Sequence, residues 1–347
     1  MDMLSQLSEL AGVPGREERV RAFIEEGVRD HVDDLHTDAL GNLHAVRRSG
    51  KADAPRLMVA AHMDEIGFIV RFVDDKGFLR LQHVGGFDPR NLFARQVTVH
   101  ASHGERELVG VLNPAGKPVH LSTAEERSKV PDLDAFFVDL GMDAERVKEL
   151  VRVGDMVTLR QPFADLGDVV TGKALDDRAG CWILIETLRR LGTPAMDLHA
   201  VFTVQEEVGL RGAITSAFSV APDVAIALDT TLAIDTPEAR DDLRITQLGK
   251  GTAIKVMDAS TISTRWLVDA LIALAERRDV AYQLEVLPLG GTDAGAMQRA
   301  REGAPSITLS TPSRYVHTVT EMVAKADLEA AVALLTAAVE EGIAPPS

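Results

Sequence analysis

The segment Gln205-Glu206-Glu207 sets two acidic side chains next to one another where an apolar run (Leu198, Ala200, Val201, Phe202, Val204) stops. Successive side chains on a strand leave on opposite faces, so a buried strand accommodates only one of such a pair. Either both glutamates lie in solvent on a turn, or the chain leaves its strand here and both face one site with different tasks. Similar side chains close other apolar runs. Leu57–Ala61 ends in His62-Met63-Asp64, Val224–Leu228 ends in Asp229, and Ile307–Leu309 leads into a loop bearing Tyr315-Val316-His317. Asp176 and Asp177 stand in the turn before a further apolar stretch. Histidines and carboxylates on neighbouring element ends, without cysteine, are the ligand chemistry of a hydrolytic site holding two metal ions. Each residue alone has an ordinary reading: a loop histidine is usually solvated, and a lone Asp after a strand is usually a turn former or helix cap. The case for a site rests on recurrence at five element ends. No role attaches to His31, His36, His44, His83, His100, His103, His120 or His199.

The spacing His62-x-Asp64 adds a mechanism. Two residues apart on extended chain, both side chains leave on one face. The Asp64 carboxylate then accepts one imidazole N–H while the other ring nitrogen binds metal, which fixes tautomer and orientation.

Open α/β sheets bind ligands beyond the carboxyl ends of their strands, so these residues need such a sheet beneath them. Residues 4–32 read as an amphipathic helix or two, broken at Gly12–Glu18, and 38–48 read as a hairpin. The run 56–73 reads as one buried strand. From 72 to 166, short alternating runs lie between Gly, Pro and Asp turns, the pattern of a small β-rich module. Inside it, Thr123 and Glu126 offer a capping box for one short helix. After 167, strands expected at 198–204, 223–228, 252–256, 282–287 and 306–310 alternate with helices at 179–191, 211–218, 260–278, 293–302 and 325–341. The fold class is therefore α/β, a mixed sheet flanked by helices, with an inserted β-rich, barrel-like domain at 72–166 and a discontinuous main domain at 1–71 and 167–347.

The chain of 347 residues is long enough for one large and one small domain, and 46% hydrophobic residues can fill both cores. A net charge of −16 argues against nucleic acid as a partner. One cysteine, Cys181, excludes an intrachain disulfide and a cysteine-based metal site, and its apolar surroundings read as core. The first residues lack a signal peptide's basic start and apolar centre. The apolar stretch Ala330–Val339 is about half the roughly 20 residues of a bilayer span. A cytoplasmic protein without a membrane partner is the expectation.

Six segments, "AAHMDEIGFIV", "GKALDDRAG", "VQEEVGLRGA", "ALDTT", "GGTDAGAMQ" and "PSRYVHTVTEM", taken together resemble the M42 family of dinuclear metallo-aminopeptidases, the tetrahedral or TET group. They stand in the family's order from residue 60 to 322, and "GGFDPRNL" and "HLSTAEERSKVPDLDAFFVDLG" resemble its inserted domain. Thr318 and Thr320 depart from the pattern expected after His317. The resemblance implies a zinc-peptidase type of fold. It implies His62 and Asp229 on one metal, Glu207 and His317 on the other, Asp176 bridging both, and a cis peptide between Asp176 and Asp177. Glu206 would then be the general base and Asp64 the partner of His62. Two divalent ions per subunit are implied, zinc first, with cobalt or manganese as alternatives. The substrates would be peptides, cleaved at the amino terminus. A homododecamer built from dimers through the inserted domain, with its active sites facing a chamber, is implied as well.

A metal-dependent deacylase or carboxypeptidase on the same fold is the nearest alternative reading, and a non-catalytic peptide-binding scaffold is another. Glycoside hydrolysis usually needs a pair of carboxylic acids without metals, which this residue set does not suit. Thr292 and Asp293 fit either the pocket for the substrate's first side chain or a plain helix cap at Asp293.

Overall fold

The computed structural model describes residues 1–103 and 106–343. Its elements begin with α1 (Asp2–Glu9), α2 (Glu18–Val28), β1 (Asp34–Thr37), β2 (Leu43–Arg47), β3 (Arg56–His62), β4 (Gly67–Val73), β5 (Leu79–Val84), β6 (Arg95–Ala101) and β7 (Arg106–Pro114). They continue with α3 (Ala124–Ser128), β8 (Phe136–Asp139), α4 (Ala144–Leu150), β9 (Met156–Leu159), β10 (Ala164–Asp165), β11 (Val169–Gly172), α5 (Leu175–Arg190), β12 (Asp197–Thr203), α6 (Arg211–Val220) and β13 (Val224–Leu232). Last come β14 (Thr252–Met257), α7 (Arg265–Arg277), β15 (Tyr282–Val286), α8 (Asp293–Gln298), β16 (Ser306–Arg314), β17 (Glu321–Ala324) and α9 (Lys325–Glu341).

The large sheet runs β1-β2-β12-β3-β13-β16-β17-β11-β10, with β14 joining β16 and carrying β15. Its centre, β12, β3, β13 and β16, is parallel. Strand β3 lies between the later strands β12 and β13, one on each side, which makes its carboxyl end a topological switch point. The central strands are buried along nearly their whole length, as parallel strands covered on both faces are. Helix α5 is buried along most of its length because it packs on β13 and β3 and is flanked by α9, α1 and α2. Helix α7 turns Leu267, Val268, Leu271, Leu274 and Ala275 inward, the spacing of an amphipathic helix.

Strands β4-β5-β8-β7-β6-β9 close an antiparallel six-stranded barrel. It has its own core of Phe68, Val70, Leu79, Leu81, Val97, Val99, Leu112, Val138 and Val157. The short helix capped by Thr123 and Glu126 forms with both capping bonds made.

The run 56–73 departs from its reading as one strand: β3 belongs to the sheet and β4 to the barrel. Between them, Met63 N donates to Thr203 O at 2.8 Å and Glu65 N to Gly12 O at 2.9 Å. The crossing segment stays buried, so hydrophobicity along the run does not mark where strand pairing changes partner. The barrel consequently begins at Gly67. Among the described residues no helix is long and apolar enough to cross a membrane.

Candidate active site

Parallel register sets His62 beside Thr203 and Asp229 beside Ser310, so β3, β12, β13 and β16 finish along one edge of the sheet. Asp176 reaches that edge from the first turn of α5, where the Asp176-Asp177 peptide is cis. His317 comes from the loop between β16 and β17.

The side chains singled out from the sequence converge there. His62 Nε2 lies 3.3 Å from Asp176 Oδ1, whereas His317 Nε2 lies 3.4 Å from Asp176 Oδ2 and 3.3 Å from Glu207 Oε1. Asp176 thus presents one oxygen to each imidazole. Donor atoms of His62, Asp176 and Asp229 all lie within 4.8 Å of one another, and the same holds for Asp176, Glu207 and His317. Glu206 belongs to neither group, and its Oε2 stands 3.9 Å from His62 Nε2.

The role of Asp64 differs from the one its spacing predicted. The hydrogen-bond partner of His62 Nδ1 is the Asp64 main-chain carbonyl at 3.0 Å, while the nearer carboxylate oxygen stands at 3.7 Å. A carbonyl only accepts, so Nδ1 carries a proton, which leaves Nε2 as the ring nitrogen that would meet a cation with its lone pair. The carboxylate instead takes the amides of Glu206 and Glu207, at 3.0 and 3.1 Å. The strand ends at His62, and two unpaired amides of the neighbouring turn are better donors for a buried carboxylate than an imidazole already satisfied.

Glu321 was not singled out from the sequence. It is 2% exposed and grips two segments at once: Oε2 accepts from Asp176 N at 2.9 Å and Oε1 from His317 N at 2.8 Å. His317 and Tyr315 both sit at φ near +60, a left-handed conformation that costs a non-glycine residue energy, and the Glu321 bond offsets part of it. The only sequence signal was an acid four residues beyond the histidine. Thr292, and not Asp293, caps α8, its side chain accepting from Ala294 N. Asp293 is buried and its Oδ2 accepts from Thr203 Oγ1 at 2.6 Å. Cys181 is core: its thiol donates to His62 O at 3.1 Å, and burial pushes its pKa up.

The barrel closes on the same edge. A Cβ on Gly85, which has φ +86, would meet Ile66 Cγ2 at 2.4 Å and Glu207 Oε2 at 3.2 Å, and one on Gly86 would meet His317 Nδ1 at 3.3 Å. Only glycine lets that loop approach so closely.

The electrostatics are those of an acid-crowded, water-poor centre. Burial, then the charge of Asp176, pushes the Asp229 carboxyl well above its usual range. Burial does the same for Glu206 against the pull of His62, with Asp229, Asp293 and Glu207 adding to the rise. Burial opposes ionisation of Asp176 too, but hydrogen bonds from His317 and His62 outweigh it and hold its carboxyl far below the ordinary value. Burial likewise opposes a charged His317, yet Asp176 and Glu207 push its pKa up to about 12. Crowded carboxylates around two imidazoles fit cations: oxygens and imidazole nitrogens in two donor groups that share one residue are a donor set for divalent metal.

The sequence profile of the family described as M42 glutamyl aminopeptidase matches residues 41–334. The lysyl aminopeptidase of Pyrococcus furiosus is 34% identical over 347 residues, 98% of this chain and 96% of its own. An aminopeptidase structure from the archaeon Desulfurococcus kamchatkensis superposes with TM-score 0.93 at 37% identity, covering 99% of this chain and 94% of that one. The TET1 peptidase of Pyrococcus horikoshii, described as assembling into a tetrahedron or a large octahedral shell, superposes with TM-score 0.88 at 33% identity, covering 98% and 99%.

Proposed function

The chain belongs to the M42 family of aminopeptidases and is a peptide hydrolase, and from that premise we propose which residues do the work. His62 and Asp229 would hold one divalent ion, Glu207 and His317 a second, and Asp176 would serve both. The observation that carries this reading is the placement of the two Asp176 oxygens, one towards each imidazole. When bound, the ions would supply Lewis acidity and lower the pKa of a bound water toward about 7. Zinc is the first expectation, with cobalt or manganese also compatible with the donors.

Glu206 is the general base. It lies beside the donor groups without belonging to either, close enough to meet a water held between them. It takes the proton of the attacking water and delivers it to the leaving amine nitrogen. Asp64 sets the direction of Glu206 and Glu207 through their amides, and Glu321 does so for Asp176 and His317.

The test is hydrolysis of a short peptide with a free amino terminus beside its N-acetylated twin, before and after chelation. Cleavage of the free peptide alone, lost with chelator, is the expected result. Release of acetate or cleavage from the carboxyl end moves the assignment to a deacylase or carboxypeptidase. With no cleavage of either, across several first residues, the chain is a binding scaffold.

We also infer assembly through the barrel domain, into a closed shell like that described for the Pyrococcus horikoshii relative. Phe72, Phe93, Val109 and Val111 are exposed apolar side chains on or beside the barrel strands, as a self-association surface requires. A chamber admits only unfolded chains. A stably folded protein should survive incubation while the same protein, unfolded, loses residues from its amino terminus. Equal rates for the two forms would leave no place for the chamber.

A further inference from the structure

Consecutive backbone amides beyond the end of β12 are held by side chains from distant parts of the chain. Val204 N donates to Asn42 Oδ1 at 3.0 Å, Gln205 N to Glu17 Oε1 at 3.1 Å, Glu206 N to Asp64 Oδ1 at 3.0 Å and Glu207 N to Asp64 Oδ2 at 3.1 Å. Past Thr203 the chain has no strand partner: its carbonyls are taken by the amides of Gly209 to Gly212, and these four side-chain bonds are what hold its amides. The path is demanding at Gln205, whose φ of +56 lies in the left-handed region that a non-glycine residue occupies only when its surroundings enforce it. That turn lets the adjacent side chains of Glu206 and Glu207 converge on one site instead of diverging as on a strand.

Glu17 is the unassigned member of this set. Its place before α2 suits a helix cap, but it makes no side-chain capping bond. The side chain turns inward and is 3% exposed. The same Oε1 that receives Gln205 N also receives Gly15 N at 2.7 Å, so one oxygen ties the loop 12–17 to the turn. That loop is itself anchored. Gly12 exchanges hydrogen bonds with Glu65, at 3.2 Å to its Oε1 and 2.9 Å from its amide, and Arg178 donates to Leu10 O at 3.0 Å. Glu17 therefore acts from a fixed support.

We propose that Glu17 is a positioning residue for the general base: its Oε1 holds the left-handed Gln205 peptide, and so the direction in which Glu206 leaves the chain. The inference rests on the reading of Glu206 as that base. The donors served by Oε1 are amides, and Asp64 is an acidic neighbour, so the function needs an oxygen at the right reach and not a negative charge. Two substitutions separate reach from charge. Glu17→Gln keeps the oxygen at the same distance and removes the charge. Glu17→Asp keeps the charge and withdraws the oxygen by one methylene.

The experiment compares kcat, KM and bound metal for E17Q, E17D and E17A on one free-amino peptide, with E206Q beside them. Expected are an E17Q kcat within about threefold of the parent and a fall of about ten- to a hundredfold for E17D and E17A, the scale of a slightly misplaced catalytic group. KM and metal content should stay within about twofold, since the metal ligands keep their own partners. Equal loss in E17Q and E17D would overturn the proposal, and so would a parental kcat in E17D and E17A. Should E17A fail to fold, the E17Q and E17D pair decides alone. Full turnover in E206Q would instead remove the base reading itself, a different failure from an E17D that behaves as the parent.

Discussion

Glu206→Gln should lower kcat by about a thousandfold while both metal ions stay bound, within the range for loss of a positioned general base. Glutamine has the same shape and keeps one carbonyl oxygen, so the amide bond to Asp64 and the packing around the turn persist. What it cannot do is accept a proton at the position that faces His62 at 3.9 Å. Because Glu206 stands outside both donor groups, the ions have no reason to leave. The measurement is steady-state turnover together with metal per subunit by mass spectrometry. Loss of an ion from E206Q would make Glu206 a ligand, and the search for the base would move to Glu207. The substitution also removes an acid from a crowded centre, so its folded stability should equal or exceed that of the parent without metal.

Asp176→Ala should abolish activity by a different route, through the metals. Asp176 stands in both donor groups, so its removal takes one donor from each and also takes away the partner of both imidazoles. Metal content should fall from two ions per subunit towards none. His317→Ala, which touches one group only, should leave about one ion behind. The contrast between the two variants is the informative quantity. Two ions retained in D176A would remove the shared-ligand reading. Circular dichroism on both variants separates lost ligation from lost fold, since α5 stays anchored by Arg178, which donates to Met63 O at 2.7 Å.

Much of the scaffold was legible because its elements are strongly patterned. Strands expected at 198–204 and 282–287 are found at Asp197–Thr203 and Tyr282–Val286, and the last helix occupies Lys325–Glu341. The β-rich character of the insertion was legible from alternation and turn residues. Its barrel-like form was part of that reading, but its start at Gly67 within the run 56–73 was not, because pairing partners are set by contacts distant in sequence. Strand β17 escaped notice as well: four residues on the way to a helix carry too little pattern to separate them from loop.

Residue type and position at element ends singled out His62, Asp64, Asp176, Glu206, Glu207, Asp229 and His317 without any coordinates, because strand ends are where an α/β sheet exposes side chains. The sequence by itself thus determined the fold class and singled out side chains that converge at the candidate site. Only the tertiary structure decided how they are held. Glu17 and Glu321 were not singled out, and Asp64 read as a histidine partner, yet each carboxylate accepts a backbone amide from a segment far away in the chain. The physical reason is that an amide left without a strand or helix partner must find an acceptor in three dimensions, and nothing in local spacing records which one it finds.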